Sequence, residues 1–154
     1  MDQKNKRVIA LGFFDGVHRG HGALLRRVTK QARELGATAS AFTFDRSPTA
    51  AITGQAVPLL SSVEDRVWLM RTYYGIQEVI VSSFDGMMRM EWQDFITEYL
   101  VKQLHVVHVV AGHDFHFGYM GKGNPQRLQE TCSKVGIGCD IIGKVALEDS
   151  TVSS

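Results

Sequence analysis

At 154 residues the chain is sized for one domain around one core. Hydrophobic residues make up 44% of it and charged residues 21%, an ordinary balance for a globular protein in water. The formal net charge of +1 excludes the strong global field of a DNA, RNA or acidic-membrane binder, though not a local site for a small anion.

Residues 1–7 are polar and basic, but the apolar run at 8–14 is short and interrupted by Gly12. Neither a signal peptide nor a membrane-spanning helix is therefore expected, and the expected compartment is the cytoplasm. The segment RVIAL at 7–11 reads as a short buried strand, followed by a glycine-bearing loop at 12–20. Leu24, Leu25, Val28, Ala32 and Leu35 then recur at the spacing of one helical face, and Gly36 suits the helix's C-cap. Residues 38–44 are rich in Thr and Phe and predict a second strand. An irregular stretch with Pro48, Gly54 and Pro58 leads to Ser61-Ser62-Val63-Glu64, a capping-box pattern opening a helix that ends near Gly75. A third strand is expected at 78–81, and a helical face at Trp92, Phe95, Ile96, Tyr99, Leu100 and Leu104. Residues 106–111 form an apolar strand apart from His108, and a glycine-rich loop follows at 112–123. Pro125 fits the first turn of a last helix, before a strand at 138–142. Cys132 and Cys139 lack the CxxC spacing and read as reduced structural thiols.

Continuous apolar strands alternating with helices predict an α/β fold: a parallel sheet of about five strands with helices on both faces. Right-handed crossovers then gather the strand-end loops along the carboxyl edge, where ligands of such sheets sit.

The loop after the first strand, GFFDGVHRGHGALL at 12–25, is the most informative stretch. A helix starting there points unpaired N–H groups and a partial positive charge at the edge, which suits phosphate. His18 and His21, three apart, can donate hydrogen bonds to phosphate oxygens, and Gly20 between them lets a nucleotide approach the backbone. The fitting chemistry is attack of a phosphate on the α-phosphorus of a nucleoside triphosphate, catalysed by positioning and charge stabilisation. Two other readings stand beside this one: half of a zinc site, or two surface histidines. No HExxH or Walker A pattern is present.

This loop resembles the opening motif of the FMN adenylyltransferase (FAD synthetase) module of prokaryotic bifunctional riboflavin kinase/FAD synthetases, and HRGH is similar to the HxGH signature of the wider nucleotidyltransferase superfamily. GHDFHFG at 112–118, with Gly121 and Gly123 after it, is similar to that family's GxDFxFG loop, and FTFDRSP at 42–48 is a looser match to a third stretch. The resemblance implies a Rossmann-like sheet and transfer of AMP from ATP to FMN with Mg²⁺, giving FAD and pyrophosphate. It implies His18 and His21 as the catalytic contacts to ATP phosphates. It places Gly12, Phe13, Asp15 and Gly20 beside the nucleotide, with Ser153 and Ser154 at the start of a terminal ATP-binding motif. Asp114, Phe115 and Phe117 would surround the flavin and the reacting phosphates. The residues permit this: an aromatic ring can stack on isoalloxazine and a carboxylate can share Mg²⁺ with phosphates. They equally permit two core plugs and a turn or cap aspartate. The metal ligands are unspecified. His113 and His116 read as loop-surface residues, and His105 and His108 receive no role. Arg19 can reach phosphate, whereas Arg26 and Arg27 read as solvated.

Three departures from the pattern stand out. Arg46-Ser47 replaces a common Pro-His. The chain stops at Ser154 where relatives continue to a Thr and an Arg, so residues 1–154 are expected to be one nucleotidyltransferase domain short of its C-terminal end. No riboflavin kinase module is expected within residues 1–154. The expected partners are small-molecule nucleotides, with no nucleic acid and no membrane; oligomeric state is open. The alternatives to an FMN adenylyltransferase are another HxGH adenylyl- or cytidylyltransferase and a non-catalytic flavin- or nucleotide-binding domain.

Overall fold

A computed structural model of the chain describes residues 6–12, 19–44 and 63–143. Five strands form one sheet: β1 (Arg7–Leu11), β2 (Thr38–Phe44), β3 (Glu78–Ser82), β4 (Val106–Gly112) and β5 (Gly138–Ile142). Every pairing is parallel and the order is β3-β2-β1-β4-β5. The helices are α1 (Arg19–Leu35), α2 (Val63–Tyr74), a short α3 (Phe84–Met88), α4 (Trp92–Asp94) running on as a π-helix (Phe95–Gln103), and α5 (Pro125–Val135). The expected α/β sheet with helices on both faces is what the chain forms.

The two faces follow from the period-2 alternation of strands. Val8 and Ala10 of β1, with Ala39 and Ala41 of β2, face α1 and pack on Leu24, Leu25, Val28 and Ala32. Ile9, Leu11, Phe42 and Phe44 face the other way and pack with Phe95, Ile96 and Leu100 of the π-helix and Leu128 of α5. In β4 the alternation is broken by a register shift: Arg7 pairs with Val106 but Val8 with His108. Val107 is the extra residue, so Val106 and Val109 share one face although three apart.

The outermost turn of α1 departs from the sequence expectation. Leu35, the last residue of the helix, is 47% exposed, and Gly36 then turns left-handed (φ 66) to end it. The capping box at 61–64 falls mostly outside the described residues. The helix α3, capped by Ser83 through a bond from the Gly86 N–H at 3.2 Å, is too short to show a period in sequence. The π-geometry was also hidden. Spacings of four, five and nine residues from Phe95 to Tyr99, Leu100 and Leu104 suit a π-turn, while the same positions also fit an α-helical face. At the helix exit the Leu104 N–H donates to Tyr99 O at 3.0 Å.

The amino edge of the sheet is tied by Arg7. Its guanidinium grips the Glu78 carboxylate across β2 and donates to Leu104 O at 2.7 Å, and Ser40 Oγ donates to the same carboxylate at 3.0 Å. The hydrogen bond to Arg7 holds the Glu78 carboxyl below its usual range, and in return raises Arg7. Cys132 on α5 and Cys139 on β5 are free and pack in the same core. The neighbouring Cys139 thiol, together with burial, pushes the Cys132 thiol up.

Candidate active site

The strand order runs outward from β1 to β2 and β3 on one side, and to β4 and β5 on the other. β1 and β4 are neighbours, so their carboxyl ends form the topological switch point of the sheet. The register pairs Leu11 with Ala111, which sets Gly12 next to Gly112 at that point. Gly12 is half-buried, and its N–H donates to Phe42 O at 3.2 Å, which also anchors the start of the first loop on β2.

The helix α1 starts at Arg19, so Gly20 and His21 are its second and third residues. Its first turn contains no acidic residue to neutralise the positive end of the helix dipole. Phe13, Asp15 and His18 lie outside the described residues, as do Arg46, Ser47, Ser153 and Ser154.

The loop after β4 is fully described. Gly112 and His113 leave the sheet with the His113 N–H donating to Ile142 O of β5 at 2.9 Å. A turn closes when the Phe115 N–H donates to Gly112 O at 3.2 Å, which leaves Asp114 exposed at the turn. His116 is also exposed, its Nδ1 3.0 Å from Asp114 O. Phe117 and Gly123 then exchange two backbone bonds, 3.2 and 2.8 Å, as an isolated antiparallel bridge. A Cβ on Gly123 would lie 2.5 Å from the Phe117 ring, so only glycine lets the two segments meet there.

The two phenylalanines differ. Phe115 is half-buried, with its ring stacked on Phe117 at 5.7 Å. Phe117 is 0% exposed, with its other neighbour Phe95 at 5.2 Å. The flavin stacking expected of Phe117 has no open face in this structure, because its ring is filled in between Phe95, Phe115 and Gly123. Phe115 is the ring that reaches the surface.

His108, left without a role in sequence, is paired: its Nε2 lies 2.8 Å from Asp140 Oδ2 on β5. Arg27 of α1 approaches the same oxygen at 3.8 Å, so it is not simply solvated. This cluster sits on the α1 face of the sheet, away from the switch point. Among the described residues no group of three His, Cys, Asp or Glu could by itself hold a metal. None of the described helices is long and apolar enough to cross a membrane.

A parallel sheet whose strand order reverses at β1/β4, with a glycine leaving each of those two strands side by side, defines a Rossmann-like α/β domain of the kind that takes ligands at its carboxyl edge. Residues 1–154 match the FAD synthetase family, and the chain belongs to that family. It is 30% identical over 156 aligned positions to the bifunctional riboflavin kinase/FMN adenylyltransferase of Bacillus subtilis, covering 99% of this chain and 48% of that protein. The counterpart in Listeria monocytogenes is 37% identical over 120 positions, 76% of this chain and 38% of that one. The chain thus spans about half the length of the first of these relatives and less of the second. A crystal structure described as a macrolide-efflux protein from Streptococcus pneumoniae superposes with a TM-score of 0.74 at 23% identity, over 92% of this chain and 48% of that one, a likeness of fold alone.

Proposed function

We propose that the chain transfers the AMP moiety of ATP to FMN, giving FAD and pyrophosphate. An oxygen of the FMN phosphate attacks the α-phosphorus of ATP, the bond from that phosphorus to the β-bridging oxygen breaks, and pyrophosphate leaves with the electron pair. The observation that carries this reading is the juxtaposition of Gly12 and Gly112 at the switch point, in a chain of the FAD synthetase family. It sets the start of the segment that carries HxGH beside the start of the GHDFHFG loop, which supports reading one loop for each substrate.

The protein need supply no covalent nucleophile. The N-terminus of α1 offers backbone N–H groups to the triphosphate, and His18 and His21 are the donors proposed for the charge that develops on the α-phosphate and the leaving pyrophosphate. Gly12, Phe13, Asp15 and Gly20 are the residues proposed for the nucleotide side, together with Ser153 and Ser154. On the flavin side, Phe115 is the candidate to pack on the isoalloxazine, with Phe117 behind it as its support. Mg²⁺ fits a site with one exposed carboxylate, Asp114, because this ion keeps waters and takes its other ligands from phosphates. When bound it neutralises phosphate charge. Asp114 would hold it, and the chain's own work is to align the two phosphates and exclude competing water.

The deciding experiment is chromatographic detection of FAD after incubation with FMN, ATP and Mg²⁺, with nicotinamide mononucleotide and phosphopantetheine as rival acceptors. FAD formed from FMN alone supports the assignment. Product from a rival but not from FMN would replace it with another HxGH transferase. FMN binding without pyrophosphate release would make the domain a binding module.

A further inference from the structure

The flavin-side loop holds a backbone that is costly to keep. Gly118 and Gly121 have φ of 80 and 63, and between them Met120 has φ 56, a left-handed conformation that a residue with a Cβ adopts at a penalty. Such a turn persists only where its surroundings over-determine it. Three tethers do so. The Gly118 N–H donates to Met87 Sδ at 2.8 Å, and a Cβ there would lie 2.8 Å from Trp92 Cα. The Tyr119 N–H donates to Met90 O at 2.7 Å. The third comes from α5, where Arg127 Nη1 donates to Lys122 O at 2.8 Å while its guanidinium lies 5.2 Å from the centre of the Trp92 ring.

Arg127 and Trp92 belong to none of the motifs, and their contacts are surface contacts of the kind that add little to global stability. Their effect is on position. Lys122 is followed by Gly123, Gly123 is bridged to Phe117, and Phe117 carries the stacked ring of Phe115. The hydrogen bond from Arg127 therefore reaches the flavin side of the site in three steps. Asn124, whose side chain accepts from the Arg127 N–H at 2.8 Å, sets the first turn of α5 so that the arginine emerges there.

We propose that Arg127 is a positioning residue for flavin binding, clamping the turn at 118–123 against Trp92 so that Asp114 and Phe115 are pre-organised before FMN arrives. The proposal rests on the FMN reading above. Pre-organisation raises affinity by removing an ordering cost that binding would otherwise carry. A lysine would keep the charge but not the flat fork that stacks and donates at once.

The test compares the full chain with Arg127→Ala and Arg127→Lys by amide hydrogen exchange and by quenching of FMN fluorescence, with ATP affinity and the unfolding midpoint alongside. In Arg127→Ala the amides at 119–123 should exchange faster and the FMN dissociation constant should rise about tenfold, the scale of one cation–π contact and one hydrogen bond. ATP affinity and the midpoint should hold, and Arg127→Lys should fall between. Unchanged loop exchange, or FMN and ATP weakening together with a lowered midpoint, overturns the proposal. If the parent chain does not bind FMN, the flavin reading fails, and with it the proposed role. The exchange data would then still say whether Arg127 braces the loop.

Discussion

Phe115 and Phe117 alternate along one loop, yet the fold assigns them opposite surroundings. Truncating Phe117 removes a ring from the closed space between Phe95, Phe115 and Gly123, so Phe117→Ala should cost about 3–5 kcal/mol in urea unfolding. Phe115→Ala should cost clearly less and show its effect instead as weaker FMN binding by fluorescence titration. A larger stability loss for Phe115 than for Phe117 would reverse the two roles. His21 occupies the first turn of α1. As a proposed phosphate donor its replacement by Ala should lower FAD formation by about 10²-fold, the effect of losing one preorganised donor, with little change in the unfolding midpoint. Parallel losses of activity and stability would make it a structural residue.

Among the elements, the sheet's amino edge and the start of α5 carry the clearest expectations. Glu78 is held below its usual range by its bond to Arg7, so the unfolded chain binds a proton there more readily than the folded one. The pair thus stabilises the fold above the ordinary glutamate range, and that contribution fades as pH falls through the depressed folded value. Both groups are partly exposed, which screens the effect. Glu78→Gln should flatten this acid limb in a plot of unfolding free energy against pH; an unchanged limb would mean that other carboxylates set it. Asn124 caps α5 through the Arg127 N–H, so Asn124→Ala should cost about 1 kcal/mol. Because the same turn launches the Arg127 side chain, FMN binding should weaken with it.

Across the whole domain, the strands that carry the two loops proposed for the substrates end side by side in one sheet, so ligand binding is expected to be linked to folding. ATP with Mg²⁺ at one hundred times its dissociation constant should add about 2.7 kcal/mol of stability, visible as a raised melting temperature. A chelator should reverse that shift and stop FAD formation. A shift insensitive to chelator would put the metal outside the nucleotide site.

Strand positions, helix α1 and the glycine loop after β4 were legible in the sequence because they depend on local signals: apolar runs for buried strands, a 3.6-residue face for α1, and glycine where the chain must turn. Motif order also points to the family without any geometry. Tertiary structure decided what periodicity does not encode. It set the order β3-β2-β1-β4-β5, which brings Gly12 beside Gly112 across about a hundred residues of chain. It buried Phe117 and left Phe115 at the surface, although both stand at alternate positions of one motif. It joined Arg127 to Trp92 and His108 to Asp140, pairs with no local signal because each partner lies on a different element. A local pattern records which face of an element is apolar; only the packing of elements against one another decides which side chains meet.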